Sequence, residues 1–152
     1  MENQTLDSRP TLKIDDASAS ANIKTYLAFI HNLVTYATDK EAYANIVHPE
    51  VTYFEYPNLI YRNGQVRGAS KGFEGVAMGK KLLAEQQYNF VDFTETGNKL
   101  YVEGIWTGTL AIDAGALTKG QQLKAYLCMI VEFKDGKIYS QRNYDCYLPF
   151  GA

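Results

Sequence analysis

An Asp-Gly pair, Asp135-Gly136, stands between two segments of alternating character, Gln122 to Phe133 and Ile138 to Tyr147. Such a pair between period-2 segments is a strong signal for a tight antiparallel hairpin, because few residues tolerate the positive φ its turn demands. If Lys134 pairs with Lys137, then Cys128 faces Asn143, Tyr126 faces Asp145 and Lys124 faces Tyr147. Directly opposed residues share a sheet face. One face then carries Lys124, Tyr126, Cys128, Ile130, Gln141, Asn143, Asp145 and Tyr147. The other carries Leu123, Ala125, Leu127, Met129, Val131, Phe133, Ile138 and Tyr144. The hairpin is therefore predicted to have a hydrogen-bonding face and an apolar one.

Upstream, residues 1–18 are polar and aperiodic and read as a flexible arm, leaving 19–152 as a single domain. Apolar residues recur at helical spacing from Ala21 to Ala37. Thr38-Asp39-Lys40-Glu41 has the pattern of a capping box for a second helix running to Val47, which His48-Pro49 would end. Val51 to Tyr56 alternates as a strand, and Arg62-Asn63-Gly64 reads as a turn or loop. A third helix is predicted from Ser70 to Glu85, where Gly72, Gly75 and Gly79 point to close packing against another element. Strands follow at Tyr88–Thr94, Lys99–Ile112, Gln122–Phe133 and Ile138–Tyr147. Helices followed by successive strands indicate an α+β layered fold.

A chain of 152 residues can bury a core and still enclose a cavity. The net charge of −2, with basic residues scattered singly, predicts neither nucleic-acid nor membrane binding. No signal-peptide core or spanning run appears, so cytoplasmic residence is the expectation. Cys128 and Cys146 fall on opposite faces of the inferred hairpin, which argues against a bridge between them, and no CxxC or His/Cys cluster suggests a metal. Twelve tyrosines suit either the wall of a cavity for a small hydrophobic or aromatic molecule or ordinary strand interfaces.

The order of a helical N-terminal third, a strand ending in Glu55-Tyr56-Pro57, and an Asp135-Gly136-Lys137-Ile138 hairpin followed by Arg142-Asn143-Tyr144-Asp145 resembles the nuclear transport factor 2-like superfamily. The resemblance spans residues 20–150 and is greatest to its SnoaL-like polyketide cyclases. It implies a cone-shaped α+β fold, with three N-terminal helices packed on a curved antiparallel sheet that encloses a pocket. Its members include isomerases, dehydratases, epoxide hydrolases, aldol cyclases and non-catalytic adaptors, so function must come from the site.

Residue by residue, several of these activities lose support. The aspartate that steroid-isomerase relatives place before the first strand's closing proline is Tyr56 here, followed by Pro57. The Arg-x-Asp of the epoxide hydrolases is absent, and the position of their second aspartate resembles Asn143. Dehydratase relatives combine tyrosines and an asparagine with histidines; Asn143 and tyrosines are available, but the predicted strands hold no histidine.

What remains is a proton-transfer enzyme, an isomerase, cyclase or dehydratase, with Asp145 as base and Tyr126 or Tyr53 as hydrogen-bond donor. Tyr53, Tyr56, Trp106, Lys124, Cys128, Asn143 and Tyr147 are the predicted ligand contacts, and neither cofactor nor metal is implied. The alternatives are a non-catalytic ligand binder or a protein-interaction module, with Asp145 merely paired to Lys124 or Arg142. The inward direction of Glu55 is undetermined because a strand's phase is not fixed by its alternation alone. His31, on the first helix, and His48, before Pro49, read as a packed or rim residue and a loop residue. If helices cover the polar sheet face, Leu123, Leu127, Met129, Val131 and Phe133 are left outward, which predicts a homodimer through the outer face.

Overall fold

A computed structural model describes residues 4–150. Helix α1 spans Ala21–Val34 and a single 3-10 turn spans Lys40–Tyr43, followed by β1, Val47–Glu55, and β2, Gln65–Arg67. Helix α2, Ala69–Leu82, then leads into β3, Leu83–Thr96, β4, Lys99–Leu110, β5, Gln122–Lys134, and β6, Lys137–Tyr147. The six strands form one sheet in the order β2-β1-β6-β5-β4-β3. No helix among the described residues is long and apolar enough to cross a membrane.

The Ser20 hydroxyl caps α1 by accepting from the Ile23 amide at 3.1 Å, and the helix buries Tyr26, Phe29 and Ile30 on the sheet. It stops three residues before Ala37 because Tyr36 turns left-handed, with φ at 54°, and the Ala37 amide closes back onto the Asn32 carbonyl at 2.9 Å. The expected second helix is only the 3-10 turn, capped by Asp39 rather than Thr38. Ile46 and Val47, β-branched residues better suited to a pleated surface, are drawn into pairing with β6 instead, the Ile138 amide donating to the Ile46 carbonyl at 2.8 Å. Among the described residues two α-helices, not three, therefore lie against the sheet. His48, expected in a loop, sits within β1, its ring edge-on to Tyr139.

Two further features of the sheet depart from the sequence reading. It is mixed rather than antiparallel, since β1 runs parallel to β6. Gln65–Arg67, to which the sequence assigned no strand, pairs antiparallel with β1 as β2. Helix α2 packs over β1, β2 and β3. A Cβ on Gly72 would stand 3.1 Å from the Tyr53 ring and one on Gly75 2.7 Å from the Arg67 guanidinium. That approach is possible only because both positions lack a side chain.

The β5-β6 hairpin turns where expected, with Asp135 and Gly136 at φ 54° and 72° and Lys134 paired with Lys137. The register does not persist. Phe133 pairs with Ile138, but Glu132 pairs with Ser140, so Tyr139 is an extra residue on β6. A one-residue bulge moves every later side chain to the opposite face. From there Val131 faces Gln141, Met129 faces Asn143, Leu127 faces Asp145 and Ala125 faces Tyr147. The apolar face of β5 and the polar residues of β6 thus share the concave side, beneath the helices.

Three expectations fall with that register. Leu123, Leu127, Met129, Val131 and Phe133 are core residues, so the outward apolar patch on which the homodimer rested does not exist. Tyr126, Lys124 and Cys128 lie on the outer face, away from Asp145. Cys128 and Cys146 share that outer face instead of opposing each other, and both are free thiols. The N-terminal arm is tied down at several points. The Leu12 amide donates to the Phe90 carbonyl at 2.7 Å, and Arg9 and Asp7 pair with Glu103 and Lys124 on the outer face.

Candidate active site

Between helices and concave sheet lies a cavity of about 490 Å³, a volume suited to a small organic ligand. Strand register arranges its sheet wall in rows. Arg67, Tyr53, Gln141 and Val131 form one; Gln65, Glu55, Asn143 and Met129 the next; Asp145 with Leu127 and Tyr147 with Ala125 and Trp106 complete it. The β2-β1-β6 side is polar, whereas β3, β4 and β5 present Tyr88, Trp106, Leu110, Leu123 and Leu127.

Asp145 stands where the two walls meet. One of its oxygens, Oδ1, is buried without a hydrogen-bond partner. Burial and then the nearby negative charge of Glu55 push its pKa from 3.8 to about 7, against a smaller downward pull from Asn143. A carboxyl in that state shifts between acid and base at neutral pH. Glu55, the second carboxylate, is held by Gln65 Nε2 at 2.9 Å and Arg67 Nη2 at 3.3 Å. Charged groups lining the cavity, among the described residues, are limited to Glu55, Arg67 and Asp145. Arg67 pairs with Glu55, while its Nε is buried without a hydrogen-bond partner.

The phenols around Asp145 hold their protons. Burial is the chief cause of raised pKa values at Tyr53, Tyr88 and Tyr147, and the Asp145 charge adds to it at Tyr88 and Tyr147. They are donors, not bases. Trp106 is fixed by donating Nε1 to Gln86 Oε1 at 2.9 Å, and Gln86 in turn donates to the Leu33 carbonyl at 3.0 Å. Its ring meets Tyr147 edge-on at 6.0 Å.

Of the predicted site residues, Asp145, Asn143, Tyr53, Trp106 and Tyr147 line this cavity together. Tyr126, Lys124, Cys128 and Tyr56 do not line it. The Tyr126 hydroxyl donates to Asp7 Oδ1 at 2.8 Å, Lys124 pairs with the same carboxylate, and Tyr56 stacks on Tyr144 at 4.5 Å with both rings exposed. Sequence reasoning missed Gln141, Arg67, Gln65, Tyr88 and Gln86. For Arg67 and Gln65 the alternation of Gln65-Val66-Arg67 was a weak strand signal, too short to outweigh the flanking glycines. Among the described residues no cluster of three or more His, Cys, Asp or Glu could hold a metal ion.

No family model matches the chain, and no curated protein matches it in sequence. Solved structures match it in shape. IdmH from Streptomyces antibioticus, provisionally described as a polyketide cyclase, superimposes with a TM-score of 0.65 at 15% identity, over 82% of this chain and 91% of its own. A SnoaL-like protein from Jannaschia sp. CCS1, also provisionally named a polyketide cyclase, gives 0.66 at 14% over 88% and 91%. A SnoaL-like polyketide cyclase from Agrobacterium tumefaciens gives 0.62 at 12% over 84% and 92%. The chain has the SnoaL-like, nuclear transport factor 2-like fold. Within it, the concave face of the sheet is where this sequence places the carboxyl of Asp145, one oxygen of which is buried without a partner.

Proposed function

We propose that the protein binds a small, uncharged hydrophobic molecule bearing a carbonyl group and catalyses proton transfer at the carbon beside that carbonyl. The observation that carries this reading is Asp145, a carboxyl at the junction of the polar and apolar walls with one oxygen unsatisfied and a pKa of about 7. A base of that strength, desolvated and next to a bound ligand, suits abstraction of a weakly acidic C–H. The electron pair of the broken bond moves onto the carbonyl oxygen. Tyr53, Tyr88 and Tyr147 are the available phenols to donate a hydrogen bond to the resulting enolate. Returning the proton elsewhere would give an isomer, and attack of the enolate carbon on a second carbonyl of the same molecule would give a ring. The named SnoaL-like neighbours are polyketide cyclases by description, which favours a ligand of this class.

Charge supports the uncharged ligand. Among the described residues the lining carries one cation against two carboxylates, and Arg67 already pairs with Glu55, so an anionic ligand would be repelled on balance.

Hydrogen–deuterium exchange at the α-carbon of naphthylacetone, followed by NMR, tests the reading. Wild-type protein is expected to accelerate exchange, with a rate that rises with pH and levels off above about 7 as Asp145 ionises. Asp145→Asn should lower that rate by about 10²–10⁴-fold while the fold stays intact. Equal exchange by the two proteins would remove Asp145 as the base.

A further inference from the structure

The inward residues of β6 beyond the bulge are Gln141, Asn143, Asp145 and Tyr147, two apart along one face. Gln141 is 6% exposed, and its Nε2 donates to Asn143 Oδ1 at 2.9 Å. Its own Oε1 is buried with no partner. A buried amide with an orphaned oxygen costs stability, so its place between Tyr53 and Val131 calls for a role.

The geometry of a carboxamide supplies one. Its oxygen and its amino group leave the same trigonal carbon along diverging directions. With Oδ1 of Asn143 drawn back toward Gln141, Nδ2 is turned the other way along the strand, toward Asp145. We propose that Gln141 is a positioning residue, which fixes the orientation of the Asn143 amide so that its amino group, not its carbonyl, is presented to the Asp145 carboxylate. The inference rests on the reading of Asp145 as the proton acceptor, but it concerns the apparatus that sets that group rather than any turnover.

Burial and a second carboxylate push the other way. Glu55 on β1 raises the Asp145 value, as burial does, while Arg67 on β2 is paired with Glu55. Tyr88 on β3, Tyr147 on β6 and Tyr26 on α1 feel the Asp145 charge and keep their protons, and Cys128, on the outer face of β5, feels it more weakly than its own burial. Asn143 is the neighbour that favours the ionised form. If its amide turned over, its carbonyl would face the carboxylate and the protonated form would gain a partner instead. Gln141, by occupying Oδ1, holds the amide against that turn.

The test is the pH titration of the Asp145 side-chain carboxyl by carbon NMR on the ligand-free protein, in a double-mutant cycle with Gln141→Met and Asn143→Leu. Each single variant is expected to tighten proton binding at Asp145 by about tenfold, a shift of one pH unit. The double variant should shift no further than Asn143→Leu alone, because Gln141 acts through Asn143. A Gln141→Met midpoint equal to wild type, or shifts that simply add, would overturn the proposal. Should the variants not fold, the wild-type protein decides: the Asn143 side-chain amino resonances must titrate with the Asp145 midpoint, and resonances flat through neutral pH would overturn it. Since no substrate is involved, this result stands or falls separately from the exchange experiment.

Discussion

Two aspartates on opposite faces of the same sheet show what the fold does to a side chain. Asp7, reaching the outer face from the N-terminal arm, accepts from Lys124 and Tyr126, and those hydrogen bonds hold its pKa below the ordinary value. Asp145, on the inner face, has no cation of its own, a buried oxygen without a partner and a pKa pushed up to about 7. The chemical group is identical, and water and donors make the difference. A carboxylate that is solvated and bonded is a structural ion, whereas one stripped of both is a reagent. The outer face spends its polar groups on one another, and the inner face leaves several unspent, Asp145 Oδ1 among them.

The contrast predicts opposite pH dependences. Because the folded state raises the Asp145 value above that of the unfolded chain, its contribution is neutral below about pH 4. It becomes destabilising as pH climbs to about 7, by up to about 4 kcal/mol for a shift of this size. Asp145→Asn should therefore unfold at a higher temperature than wild type at pH 8, and no higher at pH 4. Thermal melts at the two values check this, and a variant less stable than wild type at pH 8 would break the comparison.

A smaller effect is expected from crowding the inner wall. A Cβ at Gly108 would come within 2.6 Å of the Trp106 ring, which Gln86 and Tyr147 hold in place. Gly108→Ala should cost about 1–3 kcal/mol in denaturant unfolding and change the Trp106 fluorescence spectrum. An unchanged spectrum with unchanged stability would show that the ring moves aside without cost.

The smallest effect belongs to the outer face. Asp7→Asn removes a solvent-exposed ion pair and should lower stability only slightly, and less in high salt. Its sign is the reverse of that at Asp145. Since folding lowers the Asp7 value, the stabilisation it gives is present above the ordinary carboxylate range and lost as pH falls through it. Parallel melts in low and high salt would reveal the loss, and a salt-independent effect would mean the arm contributes by packing instead.

Local chemistry made much of this protein legible. The Asp135-Gly136 turn, the amphipathic α1 and the alternation of β4 and β5 each follow from short-range patterns, and each is found where the pattern lies. Asp145 stood out as a carboxylate in phase with Asn143 and Gln141 on the last strand. The glycines of α2 pointed to close contact, and Tyr53 and Arg67 are what they touch. The faces were another matter. Tyr139 is extra in the ladder because β6 must satisfy two neighbours at once: β5 through the hairpin, and β1, whose own register slips between Val47 and Thr52 as the His48 ring packs edge-on against Tyr139. Hydrogen bonding between strands separated by most of the chain fixes that compromise, and nothing within the hairpin encodes it. Sequence alone determined which residues alternate; only the tertiary structure decided which face of that alternation meets water, because a side-chain period of two lets a single inserted residue exchange inside for outside.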